Sequence, residues 1–429
     1  MSRLTSSLPD EMEKILRDRL SDIVKLIIEK LPDTLSIILG GSFAKGEGSV
    51  IVNGNEIKPL KDLDIYVFLN HSPNKKIAAE IEESVSKVFT NESSVSDSRF
   101  EFNKFRVDIE YLRPRNLDWH IDLFSYDMRM HGVVLYGKNL LRAVSWNLEQ
   151  IGPNSPMRYI FEKMTGLIAL SSQEMFDGHN VSDSRRLLIN YECAKTYVEI
   201  GSVLTFMFGV YDPKASIRIK NLQSLSHKRL NDLTKDIPFL LQKIEDSTQK
   251  KLFPSSGSFL TAPLANWMST KNDLLLFAKW FIECEYKTQV CNWHDDIIDI
   301  IKVIGQNYYD SMARGILQSS LKNDSEVLIR ILSTTLAISA NVRFIIQSCL
   351  EGMGPPPYSI QRIPSIVPIY LTAPMMLDSI DDGILNPMTL TVTARYLKKI
   401  NPSIDVLTAS WDVLRDEYLK SYYAYHSPR

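Results

Sequence analysis

Three acidic residues stand where acids are costly. Asp62 and Asp64 flank the start of an apolar run at 63–69 (LDIYVFL), and Asp108 lies inside a second run at 105–112 (FRVDIEYL). Both runs read as strands, a setting in which Asp is depleted. Side chains alternate along a strand, so Asp62 and Asp64 share a face, as do Arg106, Asp108 and Glu110. If the two strands are neighbours, three or four carboxylates converge. Glu110 is also explained by an ion pair with Arg106 or by a solvated strand end. Clustered like charges are expensive unless a cation sits among them. Hard divalent ions with oxygen ligands meet that need, and Mg²⁺ takes one or two carboxylates plus substrate phosphates. Two such ions about 4 Å apart can hold both the attacking and the leaving oxygen of an in-line phosphoryl displacement. A third apolar run, 35–39, ends in Gly40-Gly41-Ser42, followed by Phe43-Ala44-Lys45. A glycine turn lets backbone N–H groups approach phosphate oxygens; Ser42 also reads as an ordinary helix N-cap, and Lys45 equally as a phosphate ligand or a solvated lysine.

The elements that must hold these groups alternate. Residues 10–31 carry apolar side chains at helical spacing and stop at Pro32; 74–89 repeats the pattern. Strands are expected at 35–39, 63–69 and 105–112, then a helix and short strand over 121–137. Between the first two strands, Asn53-Gly54 flanked by Val and Ile predicts a hairpin. Beyond 151–156 (IGPNSP) helical runs dominate, at 158–173, 182–208, 228–246, 271–286, 294–319, 324–350 and 402–422. The proline-rich stretch 352–374 reads as a turn-rich connection or a set of broken helices. The fold expected is α+β: an N-terminal domain at 1–145 built on a small mixed sheet, then an all-α domain at 150–429 that divides, if at all, near 250–270.

The order strand–GGS, strand–DxD, strand–D resembles the DNA polymerase β-type nucleotidyltransferases. Their motif hG[GS]…[DE]h[DE]h…hDh is matched by Leu39-Gly40-Gly41-Ser42, Asp62-Leu63-Asp64-Ile65 and Val107-Asp108-Ile109. The segment 133–137 (VVLYG) is similar to a closing strand of small-substrate members. The likeness covers roughly residues 20–140, with the Asn53-Gly54 hairpin lengthening the Ser42–Asp62 interval. It implies that Asp62, Asp64 and Asp108 bind Mg²⁺ or Mn²⁺ carrying a nucleoside triphosphate. It also implies that Asp108 helps deprotonate an acceptor hydroxyl, and that Ser42 and the backbone at Gly41 hold the β,γ-phosphates. The products would be a nucleotidylated acceptor and pyrophosphate. Related enzymes bring a lysine from a helical domain onto the triphosphate; Lys195, on a mainly apolar run, is the candidate here, and Arg218 a weaker one.

Lys+Arg 49 against Asp+Glu 51 leaves a formal charge of -2, unlike a protein built to coat nucleic acid. The acceptor is therefore read as a small molecule or a protein side chain. The alternatives are a nucleic-acid terminal transferase, with Arg185, Arg186, Lys214, Arg218 and Lys220 gathered into a local patch, and a catalytically silent nucleotide-binding module. Four cysteines are too few for a disulfide framework in this length. Cys284, Cys291 and His294, with Asp295 and Asp296, fit no common zinc spacing and are read as packing, as are His120 and His131. The N-terminus turns acidic where a signal peptide would turn apolar. The apolar stretch 363–377 is shorter than the roughly 20 residues of a spanning helix. A soluble, cytoplasmic protein without membrane partners is expected.

Overall fold

The computed structural model describes residues 3–53, 56–60, 63–89, 107–114, 121–143, 147–179, 181–225, 237–259, 261–321, 325–350, 364–406 and 410–426. Chain order in the first third is α1 (Asp10–Lys30), β1 (Ser36–Leu39), the short turn α2 (Gly41–Ala44), β2 (Val50–Asn53), β3 (Glu56–Pro59), β4 (Leu63–Phe68), α3 (Lys75–Phe89), β5 (Val107–Leu112), α4 (Leu123–His131) and β6 (Val133–Gly137). α1 opens on Asp10, Glu11 and Glu13, acids that suit a helix N-terminus, and buries Leu16, Leu20, Ile23 and Ile27 at its expected spacing.

One mixed sheet runs in the order β5-β4-β1-β6, with β4 and β5 parallel and β1 antiparallel to both its neighbours. Period-two alternation gives the sheet two different faces. Leu39, Leu63, Ile65, Val67 and Val107 pack under α1 and α3. Ile38, Tyr66 and Phe68 pack with Leu123 and Met128 of α4 on the other side. The hairpin expected at Asn53-Gly54 is β2–β3, with Asn53 opposite Glu56, and stands apart from the main sheet.

The rest is helical: α5 (Asn154–Leu170), α6 (Gln173–Phe176), α7 (Asp183–Met207), α8 (Ala215–Ser224), α9 (Ile237–Leu252), α10 (Pro263–Tyr286), α11 (Ile297–Asn307), α12 (Asp310–Leu321), α13 (Glu326–Leu350), α14 (Ile366–Asp378), a small β7–β8 hairpin (Ile380–Asp381, Ile384–Leu385), α15 (Pro387–Ile400) and α16 (Trp411–His426). The architecture is α+β. Among the described residues the largest apolar core cluster runs from Met157 to Ala424 and takes in residues on both sides of 250–270.

Several elements differ from the sequence expectation, and the first part of the run expected at 228–246 lies outside the described residues. The run at 294–319 is two helices, α11 and α12, separated at Tyr308 and Tyr309. The run expected at 402–422 is α16, starting at Trp411, and α15 precedes it as a separate helix. The proline-rich stretch contains one continuous helix, α14, with Pro374 inside it and every residue from Ile366 to Leu377 buried. Pro368 falls in the first turn, where its missing N–H costs nothing. Pro374 forfeits one hydrogen bond, and burial of the helix on all sides offsets that loss.

The sheet and the helices share a core. Tyr159, Phe206 and Tyr211 pack on the Tyr66–Phe68 face of the sheet. Glu47, buried, accepts hydrogen bonds from the N–H groups of Ala215 and Ser216 (2.9 and 3.0 Å) and from the Ser216 hydroxyl (2.8 Å) at the start of α8. Burial works to raise the Glu47 pKa; Lys251, the two amides and Arg218 outweigh it and hold the carboxyl below its ordinary value. Ser49 donates to the Lys251 carbonyl at 2.8 Å. Residues 1–145 expressed alone lose these partners and uncover the Tyr66–Phe68 face that Tyr159, Phe206 and Tyr211 pack on, at about 25 cal/mol for each Å² of apolar surface returned to water. That fragment is expected to show weak near-ultraviolet circular dichroism and to bind a hydrophobic dye. A sharp cooperative melt near that of the whole chain would contradict this.

Candidate active site

β1 ends beside the start of β4 because the two strands are antiparallel, with Leu39 opposite Ile65. The glycine turn thus arrives at the Asp64 end of the sheet. The Gly40 N–H donates to the Asp64 carbonyl at 2.9 Å. Gly41 adopts φ +61, a left-handed conformation that favours glycine. A Cβ at Gly41 would collide with Oδ2 of Asp64 and lie 2.8 Å from its Cγ. At Gly40 a Cβ would lie 2.5 Å from the Tyr66 ring. Both glycines are required because the turn presses directly against the side chains of β4.

Ser42 is buried, and its hydroxyl has no hydrogen-bond partner among the described residues. Buried hydroxyls are ordinarily satisfied, so this one is an orphan at the centre of the turn.

β4 and β5 pair in register, Asp64 opposite Asp108 and Tyr66 opposite Glu110. Neighbouring strands lie about 4.8 Å apart, so Asp64 and Asp108 are adjacent on one face, with Glu110 one step further along it. Asp64 is half-buried, and Asp108 and Glu110 are exposed. Their combined field reaches Tyr66, whose pKa is driven up first by burial and then by Asp64, Glu110, Asp108 and Asp122. Asp122 caps α4, accepting from the Ser125 N–H at 2.7 Å. Asp62 and Arg106 lie outside the described residues, as do Gly54 and His120. Among the described residues no three His, Cys, Asp or Glu side chains are grouped closely enough to hold a metal ion.

Lys45 is held by Asp127, Nζ to Oδ2 at 2.8 Å, and the Tyr211 hydroxyl donates to the other oxygen of Asp127 at 2.7 Å. The turn is thereby tied to the helical region, and Lys45 serves that tie. Lys195, on α7, lies 3.5 Å from Glu192 Oε2, while Lys163 of α5 donates to Oε1 at 2.7 Å. Burial would raise the Glu192 pKa, but Lys163 and then Lys195 outweigh it and lower it. Two ammonium groups thus flank one buried carboxylate. Further round α7, Tyr191 and Ala194 pack with Phe259 and Leu60, two residues before Asp62. Lys163 was missed by sequence reasoning; its signal was a lone charge on the otherwise apolar second half of α5.

Three of the basic residues named for the terminal-transferase alternative bond to backbone carbonyls. Arg218 is buried and donates to the carbonyls of Asp212 and Pro213, both at 2.8 Å. Arg185 donates to the Leu170 carbonyl and Arg186 to that of Val181. Near the C-terminal cysteines, Asp296 accepts from the N–H groups of Cys291 and Asn292, and His294 contacts Asp378 and Thr393. Those residues form a loop-and-helix junction.

No protein-family model matches the chain, and no curated protein matches it.

Proposed function

We propose that the chain is a metal-dependent nucleotidyltransferase of the DNA polymerase β type, moving a nucleoside monophosphate from a triphosphate to an acceptor hydroxyl. The observation that carries this reading is the contact of the Gly40-Gly41-Ser42 turn with Asp64, itself in register with Asp108. A phosphate-binding turn and two acids at one sheet end are what phosphoryl transfer to a hydroxyl needs.

The donor set fits Mg²⁺ or Mn²⁺: Asp64 and Asp108 offer hard oxygen ligands, with Asp62 as the third. The ions would neutralise phosphate charge and orient the reacting oxygens. The chain's own residues do the rest. The Gly41–Ser42 backbone and the orphan Ser42 hydroxyl bind the β,γ-phosphates. Asp108 takes the proton of the acceptor hydroxyl as its oxygen bonds to the α-phosphorus and the bond to pyrophosphate breaks. Lys195, seconded by Lys163, supplies positive charge to the triphosphate. The near-neutral net charge and the engagement of Arg185, Arg186 and Arg218 favour a small molecule or a protein as acceptor.

Incubation with each of the four α-labelled nucleoside triphosphates, with Mg²⁺ or Mn²⁺ and acceptor pools, tests the reading. Metal-dependent label transfer with pyrophosphate release supports it. Binding of no triphosphate would overturn it, and binding without turnover would mark a silent module. Tight, steeply salt-dependent RNA binding in a gel shift would replace the acceptor class.

Lys195→Ala is expected to raise KM for the triphosphate about tenfold with kcat nearly kept, because a point charge that binds ground and transition states alike is lost. Glu192 retains Lys163, so the fold survives. Steady-state kinetics with unaltered KM would remove Lys195 from the site.

A further inference from the structure

α8 begins without a cap of its own. Lys214 stands at its N-cap position and makes no side-chain bond to the helix; a lysine has no acceptor to offer. The open N–H groups of the first turn, on Ala215 and Ser216, go instead to Glu47, 168 and 169 residues earlier in the chain. Glu47 is 3% exposed. Its Oε2 accepts the Ala215 N–H, and its Oε1 accepts both the N–H and the hydroxyl of Ser216. A neutral Ser, Thr or Asn at position 214 would cap the helix from within it. A buried carboxylate brought from another part of the fold is a costlier device, and its use follows from what the rest of Glu47 does.

The backbone of Glu47 closes the glycine turn. Its N–H donates to the Ser42 carbonyl at 2.9 Å, and the Gly46 N–H donates to that of Phe43 at 3.2 Å, with Gly46 at φ +76. One series of bonds therefore runs from the start of α8, through the Glu47 carboxylate and N–H, to the residue that carries the orphan hydroxyl. The α8 end of that series is fixed in turn. Arg218 donates to the Asp212 and Pro213 carbonyls, Asn221 to the Val210 carbonyl at 2.8 Å, and the Lys214 N–H to Asp212 Oδ1 at 2.8 Å.

We infer, resting on the nucleotidyltransferase reading, that Glu47 is a positioning residue: anchored on α8, it sets the Ser42 hydroxyl where the β,γ-phosphates are bound. Both carboxylate oxygens face donors, so Gln is no substitute. Its amide N–H₂ would confront either the Ala215 N–H or the two Ser216 donors and leave a buried group unsatisfied. Lys45, Asp127 and Tyr211 tie the turn to the helical region by a separate route. A change at Glu47 therefore moves the turn without parting the sheet from the helices.

Calorimetric titration of the whole chain with a non-hydrolysable triphosphate and Mg²⁺ tests this in a double-mutant cycle. Glu47→Gln and Ser42→Ala are each expected to weaken binding about tenfold. The double variant should stay within about threefold of the worse single one, because Glu47 acts through Ser42. A carboxylate that only capped α8 would instead lower the melting temperature and give losses that multiply. Ser216→Ala is the milder variant: it removes one of the three donors, keeps both amides, and should melt like the parent. It is expected to weaken binding about threefold, and to add nothing once Ser42 is replaced by Ala. Parent affinity in both Glu47→Gln and Ser216→Ala, or losses that multiply with that of Ser42→Ala, would overturn the inference and leave nucleotidyl transfer in place. A parent chain that binds no triphosphate would overturn both.

Discussion

Asp64→Asn and Asp108→Asn are each expected to lower nucleotidyl transfer on the order of a thousandfold or more, while the protein stays folded. The two carboxylates are in-register neighbours on parallel strands, and Asp64 also touches the glycine turn. Asn keeps the size and most hydrogen bonds of Asp, so packing survives. What disappears is the negative charge that would hold a divalent ion and, at Asp108, the proton acceptor. Without metal, the loss of one carboxylate relieves like-charge repulsion, and thermal stability should hold or rise by about 1 kcal/mol at most. A coupled pyrophosphate assay with a thermal melt reads both quantities. Near-normal turnover in either variant would remove that residue from the chemistry. A large fall in melting temperature would make it a structural acid.

Gly41→Val is expected to abolish triphosphate binding and to destabilise the fold by about 1–3 kcal/mol. Two effects add at this position. The backbone lies at φ +61, where a β-branched residue is strained. The new Cβ would also displace the Asp64 carboxylate, so the turn and the acid cannot both keep their places. Gly178→Ala is the matched control: its φ is +79, but nothing lies within 4 Å of the added methyl. It should cost about 1 kcal/mol of strain and leave nucleotide binding unchanged. Calorimetric titration with a non-hydrolysable triphosphate separates the two. Unchanged affinity in Gly41→Val would show that the turn does not touch phosphate.

Much of the candidate site was legible because its signals are local. Asp in a β-branched run is conspicuous, and the period of two places Asp62 with Asp64, and Asp108 with Glu110, without knowledge of the fold. The Gly-Gly turn after an apolar run is equally local. The boundaries of α1, α3, β4 and β5 follow from apolar spacing and from Pro32 and Arg113-Pro114. α14 was not legible, since three prolines in an apolar stretch contradict a helix at the level of propensity. Burial on every side overrides propensity there, and burial depends on partners far away in the chain. Lys45 shows the same limit: nothing near it in the sequence reveals its ion pair with Asp127, 82 residues away.

By itself the sequence determined the acids, the glycine turn and the strands that carry them, because each rests on interactions between residues a few positions apart. Only the tertiary structure decided which strands are adjacent and in what register. It alone shows that Gly41 lacks room for a side chain because of Asp64, that Glu47 joins the sheet domain to α8, and that Lys163 and Lys195 share Glu192. These are contacts between distant segments, set by how the whole chain buries its apolar surface, and no local pattern encodes them.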